Sequence, residues 1–191
     1  METKNKRAGF SLAELLIVVA VIAVLVAIAI PIFKKKLEKS REAYDIYTMR
    51  QAASAAIDLY YSGVTDEASA TAAGLKWWSY GDRANYNAAG AYDPRDGSFY
   101  PRREDLPSAV KTYGKGTKVD GGTKFVLGNP NGAYAPGEDY TNAVVMVAIY
   151  PNANPKHVDV YWKNNISGNT KYVGGDSPSN VPKYSIRVIL D

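Results

Sequence analysis

The chain has 191 residues, of which 46% are hydrophobic and 22% are charged, and its formal net charge is +4. That length suits one domain, or one domain with an extended element. The chain contains no cysteine and one histidine, His157, which excludes disulfides, thiol nucleophiles, His-based metal clusters and most catalytic triads. The positive balance comes mainly from eight of the 23 basic residues, which flank one apolar segment. It is weak evidence for nucleic-acid binding, because that function needs clustered charge on a folded face.

The first predicted element is an apolar helix near the N-terminus. From Leu15 to Phe33 the sequence has 19 residues without a charge or a side-chain hydrogen-bonding group. At 1.5 Å of rise per residue this helix is roughly 28 Å long, close to the roughly 30 Å hydrocarbon thickness of a bilayer. The remaining sequence is too polar to bury such a helix, so the segment is predicted to span a membrane.

The residues that flank this helix differ from those of a secretory signal, in which the apolar stretch is shorter and a small-residue cleavage site follows it. Here Gly9 lies directly before the apolar segment, and Glu14 lies on its first turn. A carboxylate in a membrane helix costs about 2.5–3.5 kcal/mol at mid-bilayer and less near the edge, so Glu14 is expected to have a partner. Pro31 is predicted to kink the helix or to mark the end of the span.

Residues 8–33, AGFSLAELLIVVAVIAVLVAIAIPIF, resemble the class III signal of type IV prepilins and pseudopilins. In that family a prepilin peptidase cuts between Gly and the following Phe on the cytosolic side and methylates the new amine. The resemblance implies cleavage between Gly9 and Phe10 and N-methylation of Phe10. It also implies a role for Glu14 in subunit assembly, because in the family's filament this acid pairs with the N-terminal amine of an adjacent subunit. Pro31 matches the family's pattern as well.

The resemblance also implies a location and a set of partners. The leader, residues 1–9, is expected to remain in the cytosol while a single helix, 10–33, crosses the cytoplasmic membrane, and the processed subunit is expected in an extracellular pilus at the cell surface. The expected partners are prepilin peptidase, like pilin subunits, the inner-membrane assembly platform and, before assembly, the membrane. The charge pattern argues for the opposite orientation, since five Lys and Arg follow the span and three precede it.

Beyond the span, the helix is predicted to continue as an amphipathic segment, 34–63. This segment has no proline, and its only glycine, Gly63, is a natural C-terminal stop. Apolar residues recur at three- and four-residue steps and form one stripe that a sheet could cover: Ile46, Met49, Ala53, Ile57 and Tyr60.

Residues 64–114 are predicted to form a connecting region with a short helical stretch, and 115–191 an antiparallel sheet that completes one globular domain with 34–114. Residues 96–106, which read DGSFYP and end in Asp105-Leu106, resemble a DG…YP…DL stretch of many pilin-like proteins. About four strands are expected from apolar runs between turn signals: Lys124–Leu127, Ala143–Tyr150, Val158–Trp162 and Tyr184–Leu190. The predicted fold class is therefore α+β, a long N-terminal helix packed on a C-terminal antiparallel sheet, as in the pilin fold.

Other functions have weaker support in the sequence. An enzyme is not expected: His157 begins a predicted strand, and the glycines at 114–116 lack phosphate-loop spacing. No cofactor or metal is expected either, because the calcium-loop spacing is absent from the candidate acids Asp93, Asp96, Glu104 and Asp105. Nucleic acid is not an expected partner, although two basic aromatic or arginine patches could contact it: Lys76, Trp77, Trp78 and Arg83, or Arg102 and Arg103.

The predicted function is that of a structural subunit of a type IV pilus-like filament, either a major or a minor pilin, used in adhesion, motility or surface interaction. Two alternatives stay open. One is a pseudopilin of a type II secretion or DNA-uptake machine, which shares the same N-terminus. The other, of a different class, is a single-pass membrane anchor carrying an adhesive or binding domain, which would require neither the Gly9–Phe10 site nor Glu14.

Overall fold

The computed structural model describes residues 9–107, 143–164 and 185–191 of the protein. The chain divides into two compact units, Met1–Leu37 and Glu38–Asp191. The first helix, α1 (Leu12–Tyr61), belongs to both units, while all the strands belong to the second.

α1 contains 50 residues, and its C-terminal end is set by glycine. Gly63 has φ +104°, in the left-handed region that glycine enters without steric cost. Its N–H donates to the carbonyl of Tyr60 at 3.0 Å, and the N–H of Val64 donates to Leu59 at 3.1 Å. These two bonds form a Schellman motif and satisfy carbonyls that the end of a helix would leave without partners. The predicted extension of the helix to about Ser62 therefore agrees with the structure.

The second unit contains an antiparallel sheet whose strands follow the order β1-β2-β4-β5-β6, with β3 also paired to β2. Each pairing between neighbours is antiparallel. A short helix, α2, lies between α1 and the first strand, and single turns of 3-10 helix occur at 83–85 and 103–105. The bounds are α2 Glu67–Ala72, β1 Lys76–Trp78, β2 Asn87–Tyr92, β3 Phe99–Tyr100, β4 Ala143–Tyr150, β5 His157–Asn164 and β6 Ser185–Ile189.

Three of the expected strands correspond to observed ones. β4 has the expected bounds, β5 contains the expected Val158–Trp162, and β6 covers most of the run expected at Tyr184–Leu190. The expected strand Lys124–Leu127 lies outside the described residues. The α+β class, with a long N-terminal helix and an antiparallel sheet, is confirmed.

The sheet is larger than the expected four strands, because the region predicted as a connection, 64–114, supplies β1, β2 and β3. β2 reads NAAGAY and lacks the β-branched residues that favour strands. Its small residues are required by close packing: a Cβ on Gly90 would lie 2.7 Å from Leu75 Cδ2 and 2.7 Å from the carbonyl oxygen of Tyr100. Tertiary packing therefore overrides the low strand propensity of this segment.

The second unit has one hydrophobic core, which α1 and the sheet share. Most of β4 is buried on both faces, from Ala143 to Ile149. The buried apolar residues that α1 contributes to this core are small or unbranched for the most part: Ile46, Met49, Ala52, Ala53 and Ala56. Of the predicted stripe, Ile57 and Tyr60 are partly buried and pack against the same core.

Candidate functional site

The N-terminal end of α1 carries a capping box. Ser11 occupies the N-cap position, and its carbonyl accepts the first helical bond, from Leu15, at 3.2 Å. The backbone N–H of Glu14 donates to the hydroxyl of Ser11 at 3.2 Å, while the backbone N–H of Ser11 donates to the carboxylate of Glu14 at 2.8 Å. This reciprocal pair satisfies two backbone donors that would otherwise have no partner at the start of the helix.

The predicted cleavage site lies just before this cap. Gly9 and Phe10 are not helical, and both are exposed, with 89% of Phe10 accessible to solvent. A Cβ on Gly9 would meet no atom of the described residues within 4 Å. The Gly9–Phe10 peptide bond is therefore an open segment of backbone, as a peptidase substrate requires.

One of the two carboxylate oxygens of Glu14 accepts hydrogen bonds from Ser11. The backbone N–H and the hydroxyl of Ser11 both lie 2.8 Å from Oε2. Within the described part of the chain, no hydrogen bond to Oε1 is found. Glu14 is also the sole charged residue between Leu12 and Phe33. An incoming cation would therefore find an oriented carboxylate with a free oxygen in otherwise apolar surroundings.

The first unit has an extensive apolar surface. Leu12–Leu37 is long and apolar enough to cross a membrane by length and composition, and none of it is buried within the protein. Soluble monomers rarely expose a contiguous apolar surface of this size. The surface requires a cover, which can be lipid or the apolar helices of other molecules.

Pro31 lies inside α1 and does not end it, because the helix continues to Tyr61. Proline has no N–H to donate to the carbonyl of Ala27, so one helical hydrogen bond is missing there. The kink expected at this position remains a prediction.

The acids considered for calcium are paired with their own neighbours. Asp93 is fully buried. Its carboxylate accepts hydrogen bonds from the backbone N–H, Nε and Nη2 of Arg95, the last at 2.8 Å. Asp96 accepts from the hydroxyl of Ser98 at 2.7 Å and from its N–H at 3.0 Å, and these bonds lower the pKa of Asp96. Among residues 9–107, 143–164 and 185–191, no group of three or more acids or histidines could hold a metal ion.

The remaining two acids of that set, Glu104 and Asp105, pair with the arginines considered for nucleic acid. Arg102 binds Asp105 at 3.2 Å, an interaction that raises the pKa of Arg102, and Arg103 binds Glu104 at 2.7 Å. Arg103 is buried. These arginines therefore do not present a free basic patch.

The aromatic patch considered for nucleic acid is divided by the strand. Lys76 Nζ lies 4.0 Å from the ring centroid of Trp78, and both residues are exposed. Trp77, which alternates with them, packs against the core and contacts the ring of Tyr86 edge-on at 6.5 Å. Arg83 is exposed in the following 3-10 turn. The strand geometry thus leaves one exposed indole rather than a two-tryptophan platform.

The surroundings of the single histidine suit a structural role. His157 stacks on Tyr150 with ring centroids 4.6 Å apart, and its Nδ1 lies 2.9 Å from the carbonyl oxygen of Pro155. The nearby carboxylate of Asp159 is engaged by Arg187 at 2.7 Å. The glycines at 114–116, considered for phosphate binding, lie outside the described residues.

The sequence interpretation did not single out Ser11. The capping box was visible as Ser11-x-x-Glu14 directly before an apolar run, which is a sequence signature of a helix N-terminus. The structure joins these two side chains directly after the predicted cleavage site.

Comparison with known proteins bears on this same segment. Residues 4–30 match the family model described as the prokaryotic N-terminal methylation motif. No curated protein and no solved structure matches the chain. The matched residues include Gly9, Phe10 and Glu14. The chain thus carries, at residues 4–30, the class III prepilin signal of type IV pilins.

Proposed function

We propose that the chain is a precursor of a structural subunit of a type IV pilus-like filament, cut between Gly9 and Phe10 and polymerised through α1. The methylation motif supports a pilin-like or pseudopilin precursor. The observation that carries the proposal further is the position of Glu14, four residues after Phe10, as the one charged residue on the exposed stretch Leu12–Phe33 of α1. A new amine at Phe10 would be a matching cation.

The chemistry of Glu14 favours a partner from another copy of the chain. An ionised side chain in an apolar environment is costly unless it is paired. The first turn of α1 supplies hydrogen bonds to Oε2 but no positive charge among the described residues. Cleavage between Gly9 and Phe10 would give each copy one cation at its N-terminus and one carboxylate a turn later. The N-terminal amine of one copy could then pair with the Glu14 carboxylate of a neighbouring copy.

The apolar surface of α1 supports assembly by the same helix. Each large aliphatic side chain removed from water contributes about 1.5–3 kcal/mol. In the bilayer, lipid would cover this surface, and in a filament the helices of neighbouring copies would cover it. The transfer from bilayer to filament would then expose little apolar surface to water.

The proposed sequence of events begins with insertion of the precursor in the cytoplasmic membrane, with residues 1–9 inside. Prepilin peptidase cuts after Gly9 and methylates Phe10. Glu14 then guides docking into the growing filament. The role is structural, with adhesion, motility or surface interaction as the use of the filament, and no catalytic activity is assigned to the chain.

The test is the substitution Glu14→Ala in the native cells, with Glu67→Ala as a matched control. Glu67 is also an acid in the first turn of a helix, but that helix is α2. We expect Glu14→Ala to abolish filaments while the protein still accumulates in the membrane, and Glu67→Ala to leave both unchanged. Wild-type numbers of filaments in Glu14→Ala would contradict the assembly proposal. The remaining interpretation would then be a membrane-anchored domain.

A further inference from the structure

We infer that Ser11 is a positioning residue for the processing step: its hydroxyl makes α1 begin at Leu12 and not earlier, and so keeps the Gly9–Phe10 peptide bond outside the helix. The inference rests on the proposed cleavage between these two residues. It assigns a separate task to Ser11, the second residue after the proposed cut.

Two acceptors, the carbonyl of Phe10 and the hydroxyl of Ser11, compete for the backbone N–H of Glu14. In an α-helix the N–H of Glu14 would donate to the carbonyl of Phe10, four residues earlier. In the structure this N–H donates to the hydroxyl of Ser11 instead, at 3.2 Å. The bond that would draw Phe10 into the helix is therefore replaced by a side-chain bond.

The second half of the capping box also keeps Phe10 outside the helix. The backbone N–H of Ser11 donates to Glu14 Oε2 at 2.8 Å, and the hydroxyl of Ser11 lies 2.8 Å from that oxygen as well. These contacts hold Ser11 in the N-cap position, where the backbone is not helical. The first helical hydrogen bond then begins at the carbonyl of Ser11, two residues after Gly9.

The conformation of the scissile bond matters because a helix hides it. In a helix the carbonyl of Gly9 would accept a hydrogen bond from Ala13, and neighbouring turns would block approach to the carbonyl carbon. In the structure Gly9 and Phe10 are non-helical and exposed, and the space around Gly9 is open. A peptidase can then engage the bond without first unwinding the helix.

Substitution of Ser11 should shift this balance toward the helix. Alanine has no capping oxygen and is the best helix former, so Ser11→Ala favours extension through Phe10. An N-cap side chain favours the helix start that it caps over uncapped starts by about fivefold. Its loss is expected to raise the share of chains in which the helix includes Phe10 and to slow cleavage by up to about the same factor. Ser11→Thr keeps the hydroxyl and should be cut at nearly the wild-type rate. Ser54→Ala makes the same chemical change at an exposed position far along α1 and should have no effect.

The experiment uses the full precursor in detergent micelles with membranes that contain its own prepilin peptidase. Mass spectrometry follows the conversion of chains that begin at Met1 into chains that begin at Phe10, at substrate concentrations where the rate reports kcat/KM. A second measurement records the backbone carbon chemical shifts of Gly9 and Phe10 in each precursor without peptidase. We expect slower cleavage and helical shifts in Ser11→Ala together, and neither in Ser11→Thr.

The outcomes separate this inference from the proposed function. If the wild-type chain is cut after Gly9 but Ser11→Ala is cut equally fast, the inference fails alone. Slow cleavage of Ser11→Ala with unchanged, non-helical shifts at Gly9 and Phe10 also overturns it, because the hydroxyl would then act on the peptidase directly. A wild-type chain that is never cut after Gly9 overturns the proposed function and the inference with it.

Discussion

Arg187 on β6 donates two hydrogen bonds of 2.7 Å to Asp159, the residue directly opposite it on β5. Asp159 is 2% exposed, whereas the side chain of Arg187 is 34% exposed. The hydrogen bonds to Asp159 raise the pKa of Arg187. A bidentate pair of this kind fixes the register of the two strands and compensates a carboxylate that has left water.

Arg187→Leu should therefore destabilise the second unit. The substitution leaves the charge of Asp159 buried without its guanidinium, and removing one partner of such a pair costs about 3 kcal/mol. Urea unfolding of the full chain in detergent micelles, followed by near-ultraviolet circular dichroism of the tryptophans, measures the change. Arg83→Leu, at an exposed position, is the control and should change the free energy of unfolding by less than about 0.5 kcal/mol. Equal stability of the two variants would contradict the proposed role of the pair.

The loss of folding stability at acid pH should depend on Asp66, the N-cap of α2. The side chain of Asp66 accepts from the hydroxyl of Ser69 at 2.6 Å and from its N–H at 2.9 Å, which lowers the pKa of Asp66. Because the folded pKa lies below the unfolded one, the contribution is fully present above the unfolded value of about 4 and is lost as pH falls through the lowered folded value. Asp66→Asn keeps a capping oxygen but does not titrate.

Thermal unfolding between pH 2 and pH 7 would check this expectation. The wild type and Asp66→Asn should unfold at similar temperatures near neutral pH, and the variant should lose less stability than the wild type below about pH 4. The control is Asp82→Asn, since Asp82 precedes a 3-10 turn without making a side-chain cap bond. If Asp66→Asn and the wild type lose the same stability at acid pH, the predicted contribution of Asp66 is excluded.

Gly90→Ala should destabilise the sheet by overpacking. The added methyl group would lie 2.7 Å from Leu75 Cδ2 and 2.7 Å from the backbone oxygen of Tyr100, so relief would require movement of the backbone. Forcing a methyl into a filled core typically costs about 1–3 kcal/mol. Urea unfolding of the full chain in micelles measures this cost. A variant as stable as the wild type would show that β2 and β3 can separate without penalty.

The parts of the fold that were predicted correctly have strong local patterns. α1 combines a long apolar run with a segment that has no proline and stops at Gly63, and β4 is a run of β-branched and apolar residues bounded by turn signals. β2 was missed because its residues are small, and strand propensity reports side-chain packing that only the tertiary structure supplies. β3 has two residues and carries no periodic pattern.

The candidate site divides in the same way. Gly9, Phe10 and Glu14 could be selected from the sequence because their spacing matches a family pattern at an apolar helix. The spacing Ser11-x-x-Glu14 is a sequence signature of the capping box, and the structure adds its hydrogen bonds and the start of the helix at Leu12. The alternation along β1, which partly buries Trp77 and exposes Trp78, depended on knowing that this segment is a strand.

We propose that the chain is cut after Gly9 and exported into a filament through α1. Mass spectrometry of the N-terminus, on protein sheared from the surface of its native cells, tests both steps together. We expect a chain that begins at Phe10 and carries a methyl group on its amine. A chain that retains Met1 to Gly9 and is found in membranes alone would contradict it.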